Sequence, residues 1–369
     1  MNFPIIVVGA GISGVTLAER YASLGKKVLV LEKRGHIGGN CYDYFDRAGI
    51  LVPKYGPHFF HTNYEDVWKY VSRFTEWHAY EHRVKASVDG KLVPVPVNIT
   101  TINLIFNLNL KTETQAKEWL DEIREKIDKP KNSEEAVLAR AGRVLYEKIF
   151  KNYTFKQWEL WPYELDPTVT SRIPIRTNFD DRYFTDKYQA MPKDGYTKLF
   201  ERMLESKNIE VRLNTDYFET KEALPEAEKL FFTGPIDRFF EDKGFEKLAY
   251  RSLRFEYEIL NKEYYQECAQ INFPNEHSYT RIVEPKHATA QVASQTTIIK
   301  EFPMSEGEPY YPVPNPRNSQ IFKKYQAEAE KLEKNGVYFV GRLANYKYFN
   351  MDQAFKNALD LFNKLEGAQ

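Results

Sequence analysis

The sequence has little cysteine and no long apolar run. Its 369 residues include two cysteines, Cys41 and Cys268, which can form at most one disulfide bond and lack the spacing of metal ligands. This scarcity is typical of a reducing compartment, so we expect a cytoplasmic protein without a metal site. No apolar run approaches the roughly 20 residues that cross a bilayer. We therefore expect no membrane insertion.

The sequence also has no excess of charge of either sign. Its 52 Lys and Arg residues balance 52 Asp and Glu residues, and no basic block stands out. Since protein surfaces that bind nucleic acid carry an excess of Lys and Arg, we do not expect nucleic acid as a partner. The apolar stretch from Phe3 to Val8 lacks a basic leader and runs straight into a glycine turn, which predicts a first strand rather than a signal peptide.

What is present is a glycine-rich segment, GAGISG, between an apolar run and a helical pattern. Gly9, Gly11 and Gly14 hold the positions of the tight turn, the close backbone approach and the helix packing in the dinucleotide fingerprint. The next apolar run, Lys27 to Leu31, ends at Glu32, whose carboxylate can accept hydrogen bonds from an adenosine ribose. These features predict a βαβ unit that binds a dinucleotide pyrophosphate at the start of its helix.

The residues after Glu32 favour FAD over NAD. A second glycine pair, Gly38-Gly39, follows soon after the ribose position. That arrangement resembles flavoproteins of the amine-oxidase type more than NAD dehydrogenases. We therefore predict FAD as the cofactor, with a plain surface loop as the alternative interpretation of the glycine pair.

The remainder of the chain divides into stretches of different character. Asp89-Gly90 between Arg83 to Val88 and Lys91 to Val95 predicts a β-hairpin. The stretch from Ile102 to Ile149 is almost free of glycine and predicts a small helical domain, with a helix start at Ser133. Residues 171–190 and 246–313 predict antiparallel strands that share one sheet.

Two late apolar runs indicate that the chain returns to the first domain. Lys229 to Phe232 leads into Thr233-Gly234, and Val337 to Val340 leads into Gly341-Arg342 before a final helix. The predicted fold class is α/β (α+β overall): a discontinuous Rossmann-like FAD-binding domain with an inserted helical domain and a twisted antiparallel sheet domain. The predicted boundaries are 1–78, 191–245 and 314–369 for the FAD-binding domain, 98–165 for the helical domain, and 79–97, 166–190 and 246–313 for the sheet domain that binds substrate.

Four motifs are distributed along the chain: Lys54 to Thr62 (KYGPHFFHT), Tyr153 to Trp158 (YTFKQW), Tyr279 to Ile282 (YTRI) and Gly341 to Tyr348 (GRLANYKY). In their order and spacing they resemble the UDP-galactopyranose mutase family over nearly the whole chain. The resemblance implies an isomerase that interconverts UDP-galactopyranose and UDP-galactofuranose, or a closely related nucleotide-hexose, for cell-surface polysaccharide synthesis. It further implies a homodimer in which NADH or NADPH reduces the FAD.

The chemistry that the resemblance implies uses the flavin as a nucleophile. N5 of reduced flavin attacks the anomeric carbon and displaces UDP, the sugar ring opens and recloses through a different hydroxyl, and UDP returns without net redox change. The protein must place the anomeric carbon over N5 and stabilise the departing diphosphate.

The resemblance also assigns roles to individual residues. Arg172 and Arg281 match the family's diphosphate clamp, where guanidinium forks suit phosphate oxygens, and His61 matches a histidine beside the isoalloxazine; these three are the predicted catalytic residues. Tyr153 matches the ring that stacks on uracil and Trp158 the indole beside the sugar. The further predicted substrate contacts are Tyr183, Arg251, Tyr311, Tyr348, His82 and Asn350. The predicted cofactor contacts are Gly9, Gly11, Ser13, Gly14, Glu32, Lys33, Gly39, Asn40, His58, His61, Thr233, Gly341, Arg342, Tyr348 and Met351.

Two departures from the family pattern leave the substrate open. Asn350 stands where many members have aspartate, and Ile149 stands where a phenylalanine commonly frames the nucleobase. Two other functions also remain open. One is an FAD-dependent oxidoreductase of the amine-oxidase type, and the other is a flavin-free binding scaffold.

Overall fold

Five parallel strands form the sheet that carries the glycine turn. The structure, a computed structural model, describes residues 3–367. The strand order is β10 (Ile209–Arg212), β2 (Val28–Leu31), β1 (Ile5–Val8), β11 (Lys229–Phe232) and β17 (Val337–Phe339). With helix α1 (Ile12–Ser23) between β1 and β2, the predicted βαβ unit is confirmed, and so are both late returns to this sheet.

Helices cover both faces of this sheet. Successive side chains of a strand point to opposite sides, so the apolar strands present apolar side chains on both faces. Ile5 and Val7 pack into a core shared with α1, α8 (Tyr196–Met203) and α13 (Met351–Glu366), whereas Ile6 packs into a second core. The outer helices of the second side are α9 (Tyr217–Thr220), α10 (Ile236–Phe239) and α12 (Pro316–Glu333). None of the helices between residues 3 and 367 combines the length and the apolar composition that crossing a membrane requires.

A seven-stranded sheet forms the second layer. Its order is β16 (Tyr311–Pro312), β12 (Tyr250–Leu260), β15 (Thr296–Met304), β14 (Arg281–Val283), β13 (Gln270–Asn272), β7 (Val84–Val88) and β8 (Lys91–Val95). The predicted hairpin is confirmed as β7 and β8, with Asp89 and Gly90 at φ of 50° and 76°. One pair departs from the antiparallel prediction, because β13 runs parallel to β7. A short helix, α11 (Lys286–Thr289), precedes β15.

The predicted helical region packs on the hairpin through a shared apolar core. Its members are α3 (Ile99–Phe106), α4 (Glu113–Ile123), α5 (Ser133–Leu145), a π-helical segment (Tyr146–Lys151) and α6 (Asn152–Trp158). A further short helix, α7 (Thr168–Ser171), lies in the stretch that was predicted to belong to the sheet domain. Helix α5 begins at Ser133 as predicted, but its cap is Asn132, whose side chain accepts a hydrogen bond from the Glu135 amide at 2.9 Å. The domain boundaries within this arrangement stay a prediction.

The prediction that residues 171–190 share a sheet with residues 246–313 is wrong. All of 171–190 is described, and its one strand, β9 (Tyr188–Pro192), pairs instead with β5 (Phe60–Thr62) and β6 (Trp77–Ala79). The segment before β9 meets the hairpin only at two isolated bridges, Ile175 with Val97 and Arg182 with Arg83. The Arg176 guanidinium donates to the carbonyls of Asp180 and Arg182 and so satisfies them within the segment. The other described elements are β3 (Asp43–Phe45), β4 (Leu51–Pro53) and α2 (Glu65–Val71).

Candidate active site

Three adjoining cavities run between the two large sheets. The first cavity, of about 230 Å³, lies at the carboxyl ends of β1, β2 and β11, where open parallel sheets bind ligands. The second, central cavity is about 540 Å³ and shares His58, Arg342, Asn350 and Met351 with the first. The third cavity is about 80 Å³ and shares six residues with the central one, namely Arg172, Tyr183, Gln270, Arg281, Tyr311 and Tyr348. A single elongated ligand can therefore occupy the second and third cavities while another fills the first.

The glycine turn forms the floor of the first cavity through close backbone contacts. Gly9 has a φ of +102°, and a Cβ atom on Gly14 would lie 1.9 Å from the Gly9 carbonyl oxygen. A Cβ atom on Gly39 would lie 2.9 Å from the Gly11 Cα atom. Gly11 precedes helix α1 as its N-cap residue, and no side chain among residues 3–367 caps this end, so the first amide groups of the helix can bind an anion.

Glu32 lies in the wall of this cavity and is held by backbone amides. Its side chain accepts hydrogen bonds from the Ala10 amide at 2.8 Å and the Arg34 amide at 2.9 Å, and the residue is 5% exposed. Each carboxylate oxygen keeps a lone pair free, because a carboxylate has about four acceptor sites. The carboxylate is thus preorganised to accept ribose hydroxyls.

Ion pairs of Glu308, a residue that the sequence did not predict for the site, lie in the wall of the first cavity. Glu308 forms ion pairs with Lys33, at 3.0 Å, and with Arg34. Arg34 also lies over the Tyr55 ring at 4.3 Å. Glu308 is far in sequence from the residues that follow β2 and lies beside them only in the folded chain, so no local sequence signal identifies it.

Three histidines lie in the wall of the central cavity. His61 Nδ1 is 2.9 Å from Asp186 Oδ2, and its ring stacks on Phe184 with centroids 3.6 Å apart. Burial, reinforced by Arg342, lowers the pKa of His58 to about 4. Burial, reinforced by Arg281, lowers the pKa of His82 to about 3. Both of these rings are therefore neutral near pH 7.

Arginines and tyrosines from distant segments converge on the central cavity. The Arg172 guanidinium lies 4.4 Å from the centroid of the Tyr348 ring, and Arg342 lies 5.3 Å from the same ring. Tyr311 stacks on Tyr348 with centroids 5.2 Å apart. Burial alone would raise the pKa of Tyr348, but Arg172 and Arg342 together hold it below its usual value. Cations and phenol donors at such distances form a strong binding site for a polyanion.

Arg281 is tied to a buried carboxylate that the sequence analysis also missed. Glu301, on β15, is 1% exposed and its Oε2 atom lies 2.8 Å from Arg281 Nη2. Burial by itself lowers the pKa of Arg281, yet the neighbouring Glu301 raises it well above its usual value. Arg281 Nε, which is buried, has no partner among residues 3–367. The ion pair fixes the guanidinium while leaving it capacity to bind a ligand.

The third cavity has aromatic and aliphatic walls. Tyr153 and Trp158 on α6 face Ile149 on the π-helical segment, and Asn272 and Gln157 supply amide groups. A π-helical segment displaces the residues that follow it relative to a regular helix, and such segments are frequent at functional sites. The walls suit a planar base that needs apolar contact and a few hydrogen bonds.

The structure brings most of the predicted site residues together. Every predicted cofactor residue lines the first cavity except Gly14, which lies under the turn, and His61 and Tyr348, which line the central cavity. Every predicted substrate residue lines the second or third cavity except Arg251. Arg251 is 3% exposed and lies outside the walls of all three cavities.

Comparison with known proteins gives two family matches. Residues 148–348 match the UDP-galactopyranose mutase family, and residues 7–74 match the NAD(P)-binding Rossmann-like domain. The chain is 38% identical to a dTDP-fucopyranose mutase of Escherichia coli, over 96% of each chain. It is also 38% identical to a probable UDP-galactopyranose mutase of Klebsiella pneumoniae, over 97% of this chain and 93% of the relative.

The fold has a counterpart among solved structures. The crystal structure of reduced UDP-galactopyranose mutase superposes with a TM-score of 0.79 at 18% identity, covering 100% of this chain and 96% of the other. By contrast, the similarity to (S)-6-hydroxynicotine oxidase of Paenarthrobacter nicotinovorans is 28% identity over 39% of this chain. The oxidoreductase alternative therefore has only partial support.

Proposed function

We infer the function from the family, since the chain belongs to the UDP-galactopyranose mutase family. We propose that it interconverts the pyranose and furanose forms of a nucleotide-linked hexose. UDP-galactopyranose and UDP-galactofuranose are the first substrate pair to consider. The observation that carries this proposal is the meeting of Arg172, Arg281 and Arg342 in a cavity that opens on one side to a dinucleotide groove and on the other to a base pocket.

Family membership implies a flavin cofactor, and the first cavity fits FAD. The close approaches at Gly14 and Gly39 leave no room for side chains where a pyrophosphate must lie against backbone. The free amides at the start of α1 match its charge, and Glu32 matches a ribose. When bound and reduced, FAD supplies a nucleophilic nitrogen for the anomeric carbon of the sugar.

The chain's own residues then bind and orient the nucleotide sugar. Tyr153 and Ile149 contact the base in the third cavity, whose wall Trp158 completes; Trp158 does not line the central cavity, so we place it nearer the base than the resemblance implied. Arg172 and Arg281 hold the diphosphate at the passage between the second and third cavities, where both line the walls. With the base in the third cavity and the diphosphate at the passage, the sugar lies in the central cavity, toward Asn350 and the wall shared with the first cavity.

The arginines matter most at the moment when the nucleoside diphosphate departs. The leaving group gains negative charge in the transition state, and charge-assisted hydrogen bonds are about twice as strong as neutral ones. Glu301 keeps Arg281 in place without consuming its whole donor set. The Tyr348 hydroxyl, held beside two guanidinium groups, donates to the same oxygens.

A second substrate, dTDP-fucopyranose, is favoured by two residues of the site. Ile149 occupies less of the base pocket than a phenylalanine would, which leaves space for the 5-methyl group of thymine. Asn350 presents an amide in place of a carboxylate beside the sugar, and an amide can both donate and accept a hydrogen bond. A relative with this activity is as similar to the chain as one named for UDP-galactopyranose.

Incubation with each substrate tests the proposal. Purified protein should release FAD on denaturation, identified by mass spectrometry. After reduction with dithionite it should convert UDP-galactopyranose or dTDP-fucopyranose to the furanose form, separated by chromatography, and the oxidised protein should be nearly inert. Equal activity of oxidised and reduced protein, or oxygen consumption with an amine substrate and no furanose product, would contradict it.

The finer expectations about the protein's setting are also part of this proposal. They are reduction by NADH or NADPH, a homodimeric assembly, a cytoplasmic location and a role in cell-surface polysaccharide synthesis. Their support is the resemblance to the family. Flavin reduction rates with each dinucleotide, and the mass in solution by light scattering, test the first two.

A further inference from the structure

Arg251 holds the segment that carries Trp158. Its Nε atom donates to the Gln157 carbonyl oxygen at 3.0 Å, and its Nη1 atom pairs with Glu159 Oε2 at 2.9 Å. The two contacts lie on either side of Trp158 in the sequence. The third terminal atom, Nη2, is buried without a partner among residues 3–367.

The backbone around Trp158 needs this support. Helix α6 ends at Trp158 because Glu159 adopts a left-handed conformation with a φ of +51°. The last carbonyl groups of a helix lack partners within the helix. The Arg251 guanidinium satisfies one of these carbonyls, that of Gln157. The helix end is therefore held from the side by a strand of the large sheet.

The backbone of the same arginine is also paired with the strand that carries Tyr311. Arg251 on β12 is paired with Tyr311 on β16, and its carbonyl accepts the Tyr310 amide at 2.9 Å. The Trp158 ring lies 6.4 Å from the Tyr311 ring, within one apolar cluster. One residue thus connects two neighbouring rings that both line the third cavity.

We infer that Arg251 is a positioning residue, with Glu159 as its counter-ion, that sets the distance between Trp158 and Tyr311 and so shapes the nucleotide site. It acts through these two rings and does not contact the diphosphate. The assignment of the ligand rests on the proposed function, whereas the connection between Arg251 and the Trp158 segment does not.

Replacing Glu159 should release the Arg251 side chain. Its side chain is 50% exposed, but its partner's is 4% exposed. Removing one partner leaves a buried charge uncompensated, and that costs far more than breaking a surface pair. Without the carboxylate, the guanidinium gains by turning toward water, which releases the Gln157 carbonyl and the end of α6.

Glu159→Gln tests this inference, with Glu258→Gln as the matched control. Glu258 lies on β12, is 51% exposed at its side chain and pairs with Lys300 at 3.2 Å. Hydrogen exchange of amides 155–161, measured by mass spectrometry without ligand, should quicken severalfold in Glu159→Gln and not in the control. The dissociation constants for UDP and dTDP should rise about tenfold, and KM should rise with kcat changed less than threefold.

A double-mutant cycle separates positioning from direct substrate binding. If Arg251 acts through Glu159, then Arg251→Lys and Glu159→Gln weaken UDP binding by amounts that do not add in the double variant. If Arg251 instead binds the diphosphate, Glu159→Gln leaves UDP affinity unchanged or raises it, and that result overturns the inference. Unchanged exchange of amides 155–161 in Glu159→Gln overturns it as well, even if the protein lacks mutase activity.

Discussion

The first cavity and the central cavity are built on opposite principles. The binding groups of the first are mainly backbone: a glycine turn, helix amides and a carboxylate held by two amides, all supplied by residues 9–34. The central cavity is mainly side chain, with Arg172, Arg281 and Arg342 contributed by three separate segments. Backbone sites are sensitive to volume and side-chain sites to charge. Substitutions of each kind should therefore fail in different ways.

Removing a clamp arginine should have the largest effect. Arg172→Ala or Arg281→Ala should cost at least about 3 kcal/mol of transition-state stabilisation, or more than a hundredfold in kcat/KM, because each removes a charge-assisted fork. Flavin content, measured by absorbance, should stay unchanged, since neither arginine lines the first cavity. Near-normal turnover of either variant would remove that arginine from the clamp.

The two arginines should differ in their effect on folding. Arg281→Ala strands the buried Glu301 carboxylate, which should lower the free energy of unfolding by about 3 kcal/mol or more. Arg172 has no such buried partner in the described residues. Urea denaturation of both variants should therefore show a larger loss for Arg281→Ala, and Arg281→Ala combined with Glu301→Gln should recover part of it.

Gly14→Ala should damage the first cavity through volume alone. The new Cβ atom would lie 1.9 Å from the Gly9 carbonyl oxygen, so the turn must shift, at a cost of about 2–3 kcal/mol. FAD should be lost on gel filtration. Gly25→Ala is the control: a Cβ atom there meets nothing within 4 Å, so only the strain of its φ of +77° lowers stability, and FAD should be retained. Retention of FAD by Gly14→Ala would show that the turn is not the tight packing point.

Acidification should reveal the effect of His82, one of the buried histidines in the wall of the central cavity. The pKa of His82 in the folded protein is about 3, whereas an unfolded histidine has a pKa of about 6.5. The unfolded state therefore binds the proton first, and stability falls as pH drops from about 6.5 toward 3. His82→Asn should reduce the loss between pH 7.5 and 4.5 by about 2 kcal/mol, measured by urea midpoints. An unchanged loss would contradict it.

Glu32→Gln should have the smallest effect of these substitutions. It changes charge, not volume, in the cavity whose binding groups are mainly backbone, and so tests the limit of the contrast between the two cavities. The amide nitrogen must face either the Ala10 or the Arg34 amide, which loses a hydrogen bond worth about 1–2 kcal/mol. FAD affinity should fall about tenfold while kcat at saturating FAD changes little. Calorimetric titration of the apoprotein measures this. Affinity equal to that of the parent protein would exclude Glu32 as a ribose ligand.

The sequence predicts the first cavity better than the central one for a physical reason. The turn, helix α1 and Glu32 form one local unit whose glycines and periodicity are visible along the chain. Glu308 and Glu301 belong to their sites only after strands far apart pair, so nothing local marks them. The arginine clamp was predicted by resemblance alone, and resemblance could not foresee that Arg251 faces Glu159.

The failed sheet prediction has a related cause. Residues 171–190 are rich in polar and aromatic residues, but they meet the hairpin only at two isolated bridges, Ile175 with Val97 and Arg182 with Arg83. The Arg176 side chain binds carbonyl groups four and six residues further on, and β-strand patterning does not predict such a bond from a side chain to the backbone. The parallel pair of β13 and β7 escaped prediction as well, because hairpin signals describe only neighbouring strands.

That parallel pair has a consequence for synthesis of the chain on the ribosome. The hairpin of β7 and β8 is complete by residue 95, but its next neighbour, β13, begins at residue 270, and the first sheet receives its last strand at residue 337. Non-local strand pairing is slow and leaves unpaired edges exposed while it waits. Neither sheet has all of its strands until most of the polypeptide has emerged, so truncated or stalled chains should aggregate rather than fold in part.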